Sequence, residues 1–175
     1  MSDSTYSSLP AINHLAAQQL WEEYLAAFDG AERPREYTAE CFGDSPELAD
    51  ELLHAVSHGA KRATSSLEIE YAQFDEPLPE VGRYWMICDG RGQPQLITRV
   101  SSVEKRSFYD VDADFAAAEG EGDLSLEYWR REHEAFWRRT QGSMGNEWSP
   151  SDTDKPGHKV IMERFEVCWP LKFAH

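Results

Sequence analysis

The stretch Gly59-Ala60-Lys61-Arg62-Ala63-Thr64-Ser65-Ser66-Leu67 is where the chain changes texture. Before it, apolar residues recur at helical spacing. Leu20, Trp21, Tyr24, Leu25 and Phe28 stand three and four apart, and Gly30 follows as a stop, which predicts an amphipathic helix from about Asn13. A second helix opens at Asp44-Ser45-Pro46, with Ser45 as N-cap and Pro46 in the first helical position; it carries Leu48, Leu52, Leu53 and Val56 inward and ends near His58-Gly59. After Gly59 the segments 63–69, 84–88 and 96–103 are rich in Thr, Ile, Val and aromatics. Pro77-Leu78-Pro79 and Asp89-Gly90-Arg91-Gly92 separate them, so strands joined by turns are expected.

Downstream, residues 112–118 suit a short helix. Ser125 caps a longer one through Arg139, with Leu126, Trp129, His133, Phe136 and Trp137 as its apolar stripe and Glu127 near its N-terminal dipole. Residues 141–157 carry no period and read as a long lid-like or mobile loop, and a last strand spans 159–169. This order predicts an α+β fold, a mostly antiparallel curved sheet or small β-barrel with helices packed outside it. The expected organisation is a flexible start at 1–12 and one domain at 13–175, helical over 13–58 and barrel with helix over 59–175.

Composition narrows the function classes. A chain of 175 residues with 41% hydrophobic content and six Trp, seven Tyr and eight Phe buries a core. No run approaches 18 apolar residues and the Ser-rich start lacks the regions of a signal peptide, so neither a membrane span nor secretion is expected. Cys41, Cys88 and Cys168 lie too far apart for paired zinc ligands and are odd in number for a disulfide framework. They read as small core residues of a cytoplasmic protein. The net charge of −15 counts against a protein that coats duplex DNA. Residues 1–58 hold only Arg33 and Arg35 against eleven acids, whereas 59–109 balance seven bases with seven acids, which leaves room for a locally basic cleft.

Two segments carry candidate chemistry. Lys61 and Thr64 face the same way only if the backbone stays turned between them; the same residues also read as a helix end followed by an ordinary Thr/Ser strand. A lysine at such a turn adds little core, so its replacement is expected to leave stability almost unchanged. Ala118-Glu119-Gly120-Glu121-Gly122-Asp123 alternates carboxylates with glycines, as a pocket rim, a cation chelator or a solvated turn would. It is not an EF-hand, because Leu124 follows Asp123 and position 130 is Arg. His133 has no partner at ligand spacing and reads as a hydrogen-bonded core or edge histidine; no metal site and no cofactor are expected.

Together these segments resemble the ASCH family, a PUA-like β-barrel domain marked by G-x-K-x-x-T, here Gly59, Lys61 and Thr64. Ala-Thr-Ser-Ser-Leu after the lysine, Thr98-Arg99-Val100, Glu119-Gly120-Glu121-Gly122-Asp123-x-Ser125-Leu126 and Glu163-Arg164-Phe165 resemble a bacterial and archaeal branch of it. The resemblance implies a pocket for RNA or a modified nucleoside. It also implies a hydrolase, acting on the amide of an acylated nucleoside such as N4-acetylcytidine or on single-stranded RNA. By the motif match Lys61, Thr64 and Glu121 would be catalytic, with Arg62, Ser65, Arg99 and Ser125 binding substrate. The competing readings are a non-catalytic RNA-binding module and a small-ligand sensor.

Overall fold

The computed structural model describes residues 9–174, so most of the expected flexible start at residues 1–12 lies outside the described residues. The chain divides into two compact units. The first comprises Ala60–Glu80 and Ser102–Arg164; the second comprises residues 9–59, Val81–Ser101 and residues 165–174.

In the second unit α1 (His14–Ala27) starts where Asn13 accepts from the Ala16 amide, and α2 (Pro46–Ser57) starts where Ser45 accepts from the Leu48 amide. Both caps satisfy amides that the helix itself leaves open. A four-residue strand that the sequence does not announce, β1 (Thr38–Cys41), pairs parallel with β3 (Tyr84–Cys88). β3 pairs antiparallel with the opening of β4 (Pro94–Arg106), placing Tyr84 opposite Arg99. Trp21 and Tyr24 of α1 pack on Met86 and Ile97, and Val56 of α2 joins Phe42, Ile87, Phe165 and Val167.

In the first unit β2 (Ala63–Leu67) pairs antiparallel with the opening of β5 (Val160–Trp169), with Thr64 opposite Glu163 and Ser65 opposite Met162. The expected strand at 63–69 is cut short at Leu67. There the chain turns into α3 (Glu68–Gln73), whose Glu70 carboxylate accepts from the Leu67 amide at 3.4 Å. α4 (Ala113–Glu119) begins at an Asp112 cap, and α5 (Leu126–Ser143) begins at a Ser125 cap and lays Trp129 and Trp137 into the core. Strand order is β1-β3-β4-β5-β2, and only the β1–β3 pair is parallel among those whose register is assigned.

Residues 141–157 are not the open loop that their composition suggests. α5 runs on through Ser143, a 3-10 helix spans Pro150–Asp154, and Trp148 and Thr153 are buried. Trp148 meets Trp137 and Phe108 with ring centroids 5.7 and 6.2 Å apart, and the Thr153 hydroxyl oxygen accepts from the Phe108 amide at 2.7 Å. Gln141, Trp148, Pro150 and Thr153 are the buried residues of the segment, a signal too sparse to register as a period. Trp148→Ala should therefore cost about 3–5 kcal/mol of unfolding free energy, measured by denaturant titration. A change under about 0.5 kcal/mol would mean that the segment is loosely held after all.

Candidate functional site

Lys61 is the focus of a charge cluster inside the first unit, and it is 1% exposed. Its ammonium donates to the Ala63 carbonyl at 2.9 Å, to the Glu119 carbonyl at 3.3 Å and to Glu121 Oε1 at 3.1 Å, and lies 3.6 Å from Glu119 Oε1. The expectation that Lys61, at a turn, adds little to the core is thus overturned. A buried ammonium is tolerable only when its charge and its hydrogens are matched.

Glu119, itself 2% exposed, binds a second set of partners. Ser65 Oγ donates to its Oε2 at 2.8 Å, the Trp129 indole N–H donates to the same oxygen, and His133 Nε2 lies 3.2 Å away. The other ring nitrogen of His133, Nδ1, is 2.8 Å from the Trp129 carbonyl. Both nitrogens therefore face acceptors, an arrangement that suits imidazolium. Burial works against that charge, yet Glu119, Glu121 and the Trp129 carbonyl together raise His133 above its ordinary 6.5. Burial alone would push Glu119 up; His133 and Lys61 beside it, with the donated hydrogen bonds, hold it below the usual carboxylate range. With His133 protonated, two cations face two carboxylates.

Backbone geometry explains the glycines of this segment. The Arg62 amide donates to the Ala118 carbonyl at 2.8 Å, which draws the end of α4 onto residues 60–62. Gly120 closes α4 at φ +68°, and a Cβ there would stand 2.5 Å from the Lys61 nitrogen. Only glycine combines that conformation with so close an approach.

Glu119, Glu121 and His133 also offer donor atoms within 4.8 Å of one another, the count a three-ligand cation site needs. The Lys61 ammonium already lies against both carboxylates, so a divalent ion would have to displace it. The charged donor set fits a metal poorly.

Strand alternation separates the remaining expected residues. Ser65 lies with Ala63 and Leu67 on the β2 face turned to Glu119 and the core. Thr64 lies on the other face, beside Glu163. The half-buried Thr64 hydroxyl makes no hydrogen bond among the described residues. Glu163 is 6% exposed, and burial raises its carboxyl to about 7. Of the other expected binding residues, Arg62 turns its guanidinium back to the Lys61 carbonyl at 2.7 Å and Ser125 Oγ is taken up in capping α5. Arg99 belongs to the second unit and lines a cavity there with Arg83 and Tyr84. Sequence reasoning did not single out Glu163 for a role. The available signal was an acid closing the apolar run Val160-Ile161-Met162 inside a strand.

Two outcomes test this geometry. Lys61→Met leaves the buried Glu119 and the half-buried Glu121 without their shared cation, which should cost about 3–5 kcal/mol and lower Tm by roughly 10 °C in a thermal melt. In a histidine NMR titration of the parent, His133 should lose its proton above 6.5, so its stabilising contribution is full below that value and fades as pH rises through its folded pKa. Glu163 adds a separate pH signature. Its folded pKa near 7 exceeds the ordinary 4.5, so stability falls as pH rises between those values; Glu163→Gln should raise Tm more at pH 8 than at pH 5.

The ASCH domain family model matches residues 38–168. The crystal structure of an ASCH domain from Lactobacillus crispatus JV V101 is 31% identical with a TM-score of 0.76, the match covering 88% of this chain and 94% of that one. Protein EF3133 from Enterococcus faecalis V583 is 30% identical with a TM-score of 0.72, with 88% of each chain covered. No curated protein matches. The shared architecture is a curled, mostly antiparallel five-stranded sheet with helices, the class expected from the sequence. With 131 consecutive positions under the family model and two solved structures matched over most of their length, the chain belongs to the ASCH domain family.

Proposed function

We propose that the first unit recognises a nucleoside-like group and hydrolyses an amide on it, with Thr64 as nucleophile and Glu163 as its base. One observation carries this reading. An uncommitted threonine hydroxyl stands across the β2–β5 pair from a buried carboxyl that titrates near 7. A threonine hydroxyl attacks only when a neighbouring group takes its proton, and a base serves best when its pKa lies near the working pH.

In this mechanism Thr64 Oγ attacks the acyl carbon while its proton passes to Glu163. The C–N bond breaks, and the amine leaves with that proton. Water, deprotonated in turn by Glu163, cleaves the Thr64 ester and restores the hydroxyl. Lys61 and Glu121 act as positioning residues: the Lys61 bond to the Ala63 carbonyl fixes the backbone immediately before Thr64. Association of the family with RNA supports a nucleoside as the recognised group. The net charge of −15 favours a single nucleoside over a long polyanion.

A second reading, a binding module without catalysis, is favoured by the near-complete enclosure of Lys61, which keeps its amine from any reacting group unless Glu121 lets go.

Incubation with N4-acetylcytidine and, separately, with single-stranded RNA decides between these readings. Chromatography should show cytidine and acetate, at a rate that rises through about pH 7 as Glu163 ionises. Thr64→Val and Glu163→Gln should each slow release by at least about two orders of magnitude. Cut RNA with intact acetylcytidine would replace the amidase by a ribonuclease. Saturable binding with no product would leave the non-catalytic module.

A further inference from the structure

The second unit holds a cavity of about 860 Å3 whose wall is unlike the rest of this acidic chain. Arg33 and Arg35, the only basic residues among the first 58, both line it, together with Arg83 and Arg99. Glu32 and Glu36 are the acids on the same wall, and Arg83 is paired with Glu36 at 2.9 Å. Among the described residues, Arg33, Arg35 and Arg99 make no ion pair and no side-chain hydrogen bond.

The fold brings these arginines together from three places. Arg33 and Arg35 flank Pro34, whose burial anchors the segment between α1 and β1. Arg83 precedes β3, where its carbonyl accepts from the Val100 amide at 2.9 Å. Arg99 stands on β4 directly opposite Tyr84. Gly82, at φ +91°, leaves the space beside Arg99 open; a Cβ there would lie 3.8 Å from Nη2. Tyr84 is half-buried, its ring braced by Trp21 at 5.6 Å and Tyr24 at 5.9 Å.

We propose that this cavity binds a phosphorylated small molecule of nucleotide size, with its phosphates on Arg33, Arg35 and Arg99 and its organic part against Tyr84. Three guanidinium forks without counter-ions match phosphate oxygens better than any neutral ligand. In a chain of net charge −15, nearby uncompensated cations oppose the prevailing field, and an anion relieves their mutual repulsion. The cavity is half open to solvent and roomy enough for a ligand of this size. This site is independent of the Thr64 chemistry.

Isothermal titration of the full chain with ATP, with pyrophosphate and with adenosine, at low and at moderate salt, tests the proposal. ATP and pyrophosphate should bind saturably and more weakly as salt rises, adenosine should not displace ATP, and Thr64→Val should bind ATP like the parent. Arg99→Gln should weaken ATP by roughly tenfold or more, the loss of one charge-assisted contact. If Arg99→Gln fails to fold, the Arg33→Gln/Arg35→Gln pair, both at exposed positions, carries the same expectation. The proposal is overturned if neither phosphate compound binds at millimolar concentration, or if these substitutions leave the affinity unchanged. It is equally overturned if the arginines bind single-stranded RNA but no mononucleotide.

Discussion

The first unit depends on the compensation of one buried ammonium. Taking a lysine to 1% exposure is costly in a low-dielectric interior unless counter-charges and acceptors surround it. Glu119 and Glu121 supply the charges, and the carbonyls of Ala63 and Glu119 supply further acceptors. The second carboxylate then calls for a second cation. Once His133 is charged, four groups balance, and Ser65 and Trp129 fill the remaining acceptor positions on Glu119. The partners come from β2, from the end of α4 and the turn after it, and from α5, so the same electrostatic requirement ties these three into one arrangement.

The close approach at Gly120 is the backbone counterpart of that requirement. Lys61 meets the carbonyl of Glu119 because α4 ends against residues 60–62, and α4 ends there because a residue without Cβ can turn left-handed in contact with the Lys61 backbone. The alternating glycines of the acidic segment are therefore steric provisions. Gly122, at φ +57°, makes a comparable provision against the Tyr128 ring, which a Cβ would meet at 2.3 Å. Carboxylates in such a run would otherwise repel one another. Here Glu119 points into the cluster, Glu121 holds the ammonium, and Asp123 accepts from the Ser125 amide at 2.9 Å.

Two kinds of polar chemistry are kept apart by local geometry. On the core-facing side of β2, Ser65 serves a carboxylate held ionised by neighbouring cations. One residue earlier, alternation turns Thr64 toward Glu163, which forms no ion pair among the described residues and whose carboxyl is raised by burial. Opposed shifts of this kind assign different work to two acids, one fixing structure and one able to exchange a proton near neutrality. In the second unit the arginine-lined cavity is a further polar site with its own charge logic.

The sequence by itself determined the elements with strong local signals. Ser45-Pro46 announced α2, Ser125 announced α5, and the 84–88 run announced β3, because caps and side-chain periodicity act within a few residues. Motif order also identified the family. Only the tertiary structure decided the rest. β1 has four unremarkable residues and exists because β3 offers it a parallel edge. Residues 141–157 are ordered by the burial of Trp148 in contacts that no local pattern encodes. Lys61 changed from a residue at a turn to a buried charge because Glu119 and Glu121 lie 58 and 60 residues away in sequence. Glu163 gained its character from a strand pairing across 99 positions with Thr64. Burial and electrostatic compensation depend on what long-range packing brings within a few ångströms, and that is settled only when the chain has folded.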